Sequence, residues 1–353
     1  MNALIKPTIF TLTVAASLVS LNIQAAADMV LTSQKTSASI TLDGIAEAAW
    51  QQATPLLITL DKMPYVSDQY PGMKQTQVSI QSLYDGQTIY FYMKWQDPTH
   101  SLARYPWVKQ PDGSWKQLKN KDQTNHENTY YEDKAALLWD INARGFAKKG
   151  CDIACHMADD NGMVNDIKQT APGRKYTRAM GQTIDMWHWK SVRTGPTEQF
   201  DDQFIDATAD PASNDNWGRK GDDKLSGGYK DNINADKTAP AYGTAVFDLL
   251  SHYAITEKMP FVDTFKAGDM LPGIVVEPFT GSRGDISAKG VWKDGSWHLE
   301  FKRQLGTSGE NSASQDVQFS DLTKPYPFGV SVFDNSQINH LYHEGVFTLM
   351  FAK

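Results

Sequence analysis

The sequence predicts an all-β protein: a β-sandwich of antiparallel sheets with long irregular loops and a few short helices. Three observations predict it. Apolar and polar residues alternate through Gln77–Tyr84 and Thr88–Trp95, and Asp85-Gly86-Gln87 joins the two runs as a hairpin. The same pattern returns in Ser296–Arg303 after the turn at Asp294-Gly295, with Trp297, Leu299 and Phe301 on one face. The chain also carries 10 Trp and 14 Tyr, a load that suits a sandwich core or the walls of a pocket for a flat ligand.

The chain opens on a secretory signal pattern: Lys6, an apolar run from Ile9 to Ile23, and Ala25-Ala26-Ala27 before Asp28. Residues 1–27 are therefore expected to be removed, and the apolar run is too short and too broken for a membrane anchor. An exported, periplasmic protein follows as the expectation. Residues 34–60 read as a strand, a turn at Asp43-Gly44, a helical turn ending on Trp50, and a strand at Leu56–Leu60. That opening resembles the start of family 9 carbohydrate-binding modules and their sandwich relatives. In the hairpin, Met93 shares a face with Ile89, Phe91 and Trp95 and reads as core. Residues 97–240 read as embedded loops, broken only by a short strand at Ala135–Asp140. So long an irregular stretch in a compact domain is commonly functional. Beyond it, Ile274–Val276, Val291–Trp292, Ser296–Arg303, Tyr326–Phe333 and Gly345–Phe351 return to strand, with His298 on a solvent side. One domain over 28–353 is expected.

The densest chemistry lies in Gly150-Cys151-Asp152-Ile153-Ala154-Cys155-His156-Met157. It holds the chain's only 2 cysteines, with a histidine directly after the second. Two thioethers and an adjacent imidazole are how a c-type haem is held, here with one residue more between the cysteines than in C-x-x-C-H. The other reading is a small disulfide loop beside an incidental histidine. Export permits both. A zinc site is awkward, because Cys155 and His156 are adjacent and one tetrahedral ion needs both. Asp201-Asp202 and Asp222-Asp223 offer paired carboxylates, but without EF-hand spacing they read as solvated turns. No Walker-type glycine loop and no G-x-S-x-G elbow occurs. A formal net charge of −7, with no basic run, argues against nucleic acid and anionic membrane surfaces.

With these residues in hand, the chain resembles the haem-binding domain shared by the gamma subunit of ethylbenzene dehydrogenase and cytochrome c-552-type proteins. The motifs that carry the resemblance are Gly150–His156, Ile184-Asp-Met-Trp-His-Trp-Lys-Ser-Val-Arg193, Gly281-Ser-Arg-Gly-Asp285 and Trp297–Arg303, in that order. The resemblance implies a β-sandwich with haem bound in loops at one end. It also implies single-electron transfer, with no catalysis by this chain itself, beside a redox partner: a periplasmic molybdenum oxidoreductase or another cytochrome.

The gamma subunits hold a non-covalent b haem between methionine and lysine. Met180-Gly181 looks like the methionine position, and Asn339-His340-Leu341-Tyr342 like the region that supplies lysine there, with histidine here. A covalent haem would take His156 as proximal ligand, with Met180 or His340 opposite. A non-covalent haem would take Met180 with His340, and Cys151 and Cys155 would pair as a disulfide. Met157 and Met163 follow the motif too closely to be preferred. His188 reads first as a pocket-wall histidine whose ring nitrogens bond to backbone or water, and second as a ligand or propionate contact. Lys190 and Arg193 are propionate partners or solvated positions. Trp187 and Trp189 stack on the porphyrin or fill the core. The reading from a different class is a secreted carbohydrate-binding or adhesion module with a structural disulfide and no cofactor.

Overall fold

The computed structural model describes residues 29–64, 70–122, 125–154, 163–164, 167–168, 175–210, 212–214, 217–245 and 253–353. The signal-peptide expectation, Cys155, His156 and Met157 lie outside these residues.

A 13-stranded sheet dominates. In chain order its strands are β1 (Val30–Lys35), β2 (Leu56–Leu60), β3 (Thr76–Tyr84), β4 (Thr88–Gln96), β5 (Lys134–Asp140), β6 (Ile184–Lys190), β7 (Asp201–Ile205), β8 (Arg219–Gly221), β9 (Ser287–Lys293), β10 (Ser296–Gln304), β11 (Tyr326–Phe333), β12 (Leu341–Tyr342) and β13 (Phe347–Phe351). Across the sheet the order is β8-β7-β6-β5-β11-β13-β1-β3-β4-β10-β9, with β2 on β3 and β12 on β11. Every pair is antiparallel except those of β1, which runs parallel to both β13 and β3.

The sheet curls until its halves face each other as a sandwich. Phe91 of β4 meets Trp187 of β6 edge-on at 5.8 Å, and Trp95 meets Trp189 at 6.2 Å. The far side is laced by backbone bonds, from Phe200 N–H to the Ile286 carbonyl (3.0 Å) and from Ala288 N–H to the Glu198 carbonyl (2.7 Å). The core between the halves is built from the alternate residues the sequence assigns to it, Met93 included.

The hairpin forms as expected, with Val78 opposite Trp95 and Leu83 opposite Tyr90. The first strand differs. The ladder runs over Val30–Lys35, while residues 37–42 pass outside it. Beyond them the turn is anchored by a buried carboxylate. Glu300 of β10 accepts the N–H groups of Asp43 (2.9 Å) and Gly44 (2.8 Å) through one oxygen and the Trp50 indole N–H (2.8 Å) through the other. These satisfied donors fix the turn against the sheet. The 3₁₀ turn Ala48–Gln52 and strand β2 stand where the sequence puts them.

The stretch read as embedded loops, 97–240, contains β6, β7 and β8. Burial explains the miss of β6 and β7, while β8 is half-buried and only three residues long. Ile184–Lys190 is buried at every position, so no solvent face imposes a polar alternation. The outer face of β5 and β6 is covered by the segment around the short helix Phe146–Lys149, where Phe146, Ile153 and Ala154 pack on Leu138, Ile184 and Met186. This second, smaller core carries the residues of interest.

Candidate functional site

Strand alternation sorts Ile184–Lys190 into two chemistries. Asp185, Trp187 and Trp189 point into the sandwich, and Met186, His188 and Lys190 point to the outer face. The neighbouring strands put small residues there. Ala136 of β5 lies opposite His188 on one side and opposite Ser331 of β11 on the other. Gly329 of β11 lies opposite Leu138. The result is a depression in the sheet face, bordered by Cys151, Met186, Phe333 and His340.

Two glycines bring Cys151 to this face. Gly150 takes φ +58°, and a Cβ on it would stand 2.1 Å from the Gly345 carbonyl oxygen. Only glycine permits that approach. A Cβ on Gly329 would stand 3.3 Å from the Cys151 sulfur. The thiol is therefore seated directly on the floor of the depression.

His188 is 4% exposed, and neither ring nitrogen has a hydrogen-bond partner among the described residues. Burial holds its pKa well below the ordinary histidine value, and the Lys190 ammonium and then the Lys134 ammonium push the same way. The ring is thus neutral with an available lone pair, the form in which imidazole ligates a metal. A buried imidazole with no partner is costly in a folded protein and calls for a ligand. Its ring stacks on Phe333 at 5.7 Å. The same Phe333 ring contacts His340 at 4.9 Å. His340 Nδ1 donates to the Ile338 carbonyl (2.8 Å), which fixes the tautomer with Nε2 as the basic nitrogen.

His343 sits close by with a purely structural role. Its Nε2 accepts from the Val330 N–H (3.2 Å), and its Nδ1 donates to the Glu344 carbonyl (3.2 Å). Burial lowers its pKa to about 4. Between that value and the unfolded value of about 6.5, the unfolded chain binds a proton that the folded chain refuses. Stability is therefore complete above pH ~6.5 and falls as the pH drops towards ~4, by about 3 kcal/mol from this group. Urea midpoints measured across that range should show the decline, and His343→Asn should flatten it.

The other expected site residues are distributed as follows. Trp187 and Trp189 are fully buried in the sandwich core, on the face of β6 opposite His188. Lys190 is buried and ion-paired to Asp201, with the Tyr229 hydroxyl 3.2 Å away. Arg193 is ion-paired to Glu132 at 2.5 Å. The cations proposed for propionates are thus already matched by carboxylates of the protein. Met180 is 89% exposed in a turn and is not part of the depression. His298 takes the Tyr92 hydroxyl at 2.6 Å on the outer side of β10.

Met186 and Phe333 were not singled out from the sequence. The signal for Met186 was present: in a strand, residues two apart share a face, so His188 implies Met186. Phe333 had no local signal, because it reaches His188 from a strand far along the chain.

The donor types on this face are those that ligate or tether a haem: a neutral imidazole with both nitrogens unmatched among the described residues, a second imidazole of fixed tautomer, a methionine thioether and a cysteine thiol, around a small depression of about 30 Å³ lined by alanine and serine. Among the described residues, no helix is long and apolar enough to cross a membrane.

Comparisons with known proteins agree with the motifs. No curated protein matches the chain. Among solved structures, a family 9 carbohydrate-binding module from Caldicellulosiruptor kristjanssonii in complex with glucose is 8% identical. The match covers 92% of this chain and 94% of that one, at a TM-score of 0.33. A carbohydrate-binding protein from Bacteroides uniformis is 10% identical over 92% of this chain and 99% of that one, at a TM-score of 0.36. The family model described as ethylbenzene dehydrogenase matches residues 47–345, which takes in every motif listed above. The chain belongs to the ethylbenzene dehydrogenase family.

Proposed function

We propose that this chain is a periplasmic haem-binding electron-transfer protein, with no bond-making chemistry of its own, that serves a molybdenum oxidoreductase or another cytochrome as redox partner. Family membership supports the redox role. The observation that carries the haem site is His188, buried with both ring nitrogens unmatched on the face that also seats Cys151.

Bound haem would supply a reversible one-electron couple. The protein's part is to hold and insulate it. His188 is kept neutral by burial and by the cations around it, so no proton competes for its lone pair. Met186, Leu138 and Phe333 exclude water from the floor. Cys151, set against Gly329, would tether a thioether-linked macrocycle to this same face, with Cys155 as the second tether. In that covalent case His156 and His188 are the ligand pair we propose. Without the thioethers, His188 pairs with His340. Either pair is bis-histidine, which lowers the potential relative to methionine ligation.

The test is a pyridine haemochrome spectrum on protein exported in a host competent for cytochrome maturation, before and after acid–acetone extraction. Haem that resists extraction supports the c-type arrangement; haem that extracts supports the b-type one. A colourless, iron-free product overturns the proposal and turns attention to glycan binding.

A further inference from the structure

A second cluster lies on the other face of β6 and has no part in the haem site. Asp185 of β6, Asp202 of β7, Asp222 just past β8, Asp285 past the turn Ser282–Gly284, and Asp316 after the helix Ser312–Gln315 converge at one end of the sandwich. Asp202 and Asp222 belong to the two acidic pairs expected in solvated turns. In the structure Asp185, Asp202 and Asp316 are fully buried and Asp222 nearly so.

Some of their oxygens are committed. One Asp185 oxygen accepts from the Trp187 indole (3.0 Å), Val317 N–H (2.8 Å) and Arg303 (3.3 Å). One Asp202 oxygen accepts from Gln203 N–H (3.0 Å), and one Asp316 oxygen from the Thr307 hydroxyl (2.6 Å) and the Ser282 hydroxyl (3.3 Å). Of the remaining oxygens, Asp316 Oδ1 lies 3.9 Å from the Arg303 guanidinium. Asp185 Oδ1, Asp202 Oδ2, Asp222 Oδ1 and Oδ2, Asp285 Oδ1 and Asp316 Oδ1 are buried and accept no hydrogen bond.

We propose that Asp185, Asp202 and Asp316, with Asp222 and Asp285 at their margin, form a buried binding site for a divalent cation, and that the cation is calcium. Carboxylate oxygens are the hard ligands that calcium takes, at roughly 2.4 Å each. Ligand oxygens of Asp185, Asp202 and Asp316 lie within 4.8 Å of one another, which is about twice that bond length, so one ion can reach all three. Charge points the same way. Arg303 reaches the cluster, where it is engaged by Asp185, by Asp316 and by the Val317 carbonyl, and Arg283 faces Asp222 but is already matched by Asp201. These cations do not balance the buried carboxylates. The absence of thiol and imidazole disfavours zinc and copper.

The site would staple β6, β7, the connection after β8 and the segment after β10. It is separate from the haem face, so its test is independent of the haem reading. Full-length chain would be stripped with EDTA, and metal content and melting temperature measured with and without calcium chloride. At about 100 times the dissociation constant, calcium should raise the melting temperature by about 5 °C. One calcium per chain should be retained after gel filtration, with magnesium giving a smaller shift. Asp202→Asn should abolish the calcium shift yet melt at or above the wild type in EDTA, because it removes one buried negative charge. Asp316→Asn is the second variant should Asp202→Asn fail to fold. A stripped wild type whose melting temperature is the same with calcium as without it, or a variant that keeps the full calcium shift, overturns the proposal and leaves a proton-sharing carboxyl cluster.

Discussion

Replacing His188 with leucine is expected to abolish haem retention while leaving the haem-free protein as stable as before, or more so. Loss of an iron ligand should weaken haem retention by at least on the order of 10- to 100-fold, the range seen when even supporting residues of metal ligands are removed. A histidine that merely fills the core would behave differently. Its replacement would break hydrogen bonds, and the haem-free melting temperature would fall. Here both ring nitrogens are buried without partners, so leucine removes an uncompensated cost of about 1–3 kcal/mol. Two readouts separate the cases: Soret absorbance of protein matured with haem, and melting of protein made without it. His188→Met should retain haem with a raised potential, because a thioether favours the reduced iron. Retention of wild-type haem content by His188→Leu would remove this residue from the ligand set.

The second large effect is expected one strand away. Asp201 is fully buried opposite His188 and holds two cations at once, Lys190 through Oδ2 and Arg283 through Oδ1 at 2.6 Å. It also accepts from the Tyr229 hydroxyl (2.9 Å) and the Gln203 amide (2.8 Å). Burial by itself would raise its pKa, but the Lys190 and Arg283 charges hold it far below the usual carboxylate range. Asp201→Ala leaves Lys190 uncompensated in the interior and should cost about 3–5 kcal/mol, read as a urea midpoint shift. The double variant Asp201→Leu with Lys190→Met should recover much of that loss, since it removes the pair rather than one partner. A single-variant cost under about 1 kcal/mol would show that the pair is not isolated from water. The result also bears on haem binding: a cation so fully matched by the protein has little left to offer a propionate.

The strands were legible wherever the two faces of the sheet differ. Gln77–Tyr84 and Ser296–Arg303 carry a core face and a wetter face, and their alternation shows both the strand and its buried side. Ile184–Lys190 carries two buried faces, so the polarity signal vanished, although its side chains still alternate between two surroundings. The site was legible in part. Cys151 and His188 stand out as residue types, and the family motifs bring them into one frame. What brings them together is not local: Gly150 against Gly345, Ala136 against Ser331, and Phe333 against both histidines are pairings between distant segments. The aspartate cluster was hidden for the same reason. Its five members come from five separate segments, and each taken alone is an ordinary loop or strand acid.

The parallel strand β1 has a consequence for how the chain reaches its native state. β1 holds Val30–Lys35 between β3 and β13, so an early segment depends for one edge on Phe347–Phe351 near the other end. Closing that contact encloses nearly the whole polypeptide in one loop, whose entropy must be met before the pairing returns anything. The β3–β4 hairpin can form at once from neighbours, but the two halves of the sandwich cannot be joined through β1 until the last strand has been made. Folding should therefore be slow and all-or-none at this seam, and the exposed edges of β1 and β11 are where a half-made chain is most prone to pair with another molecule.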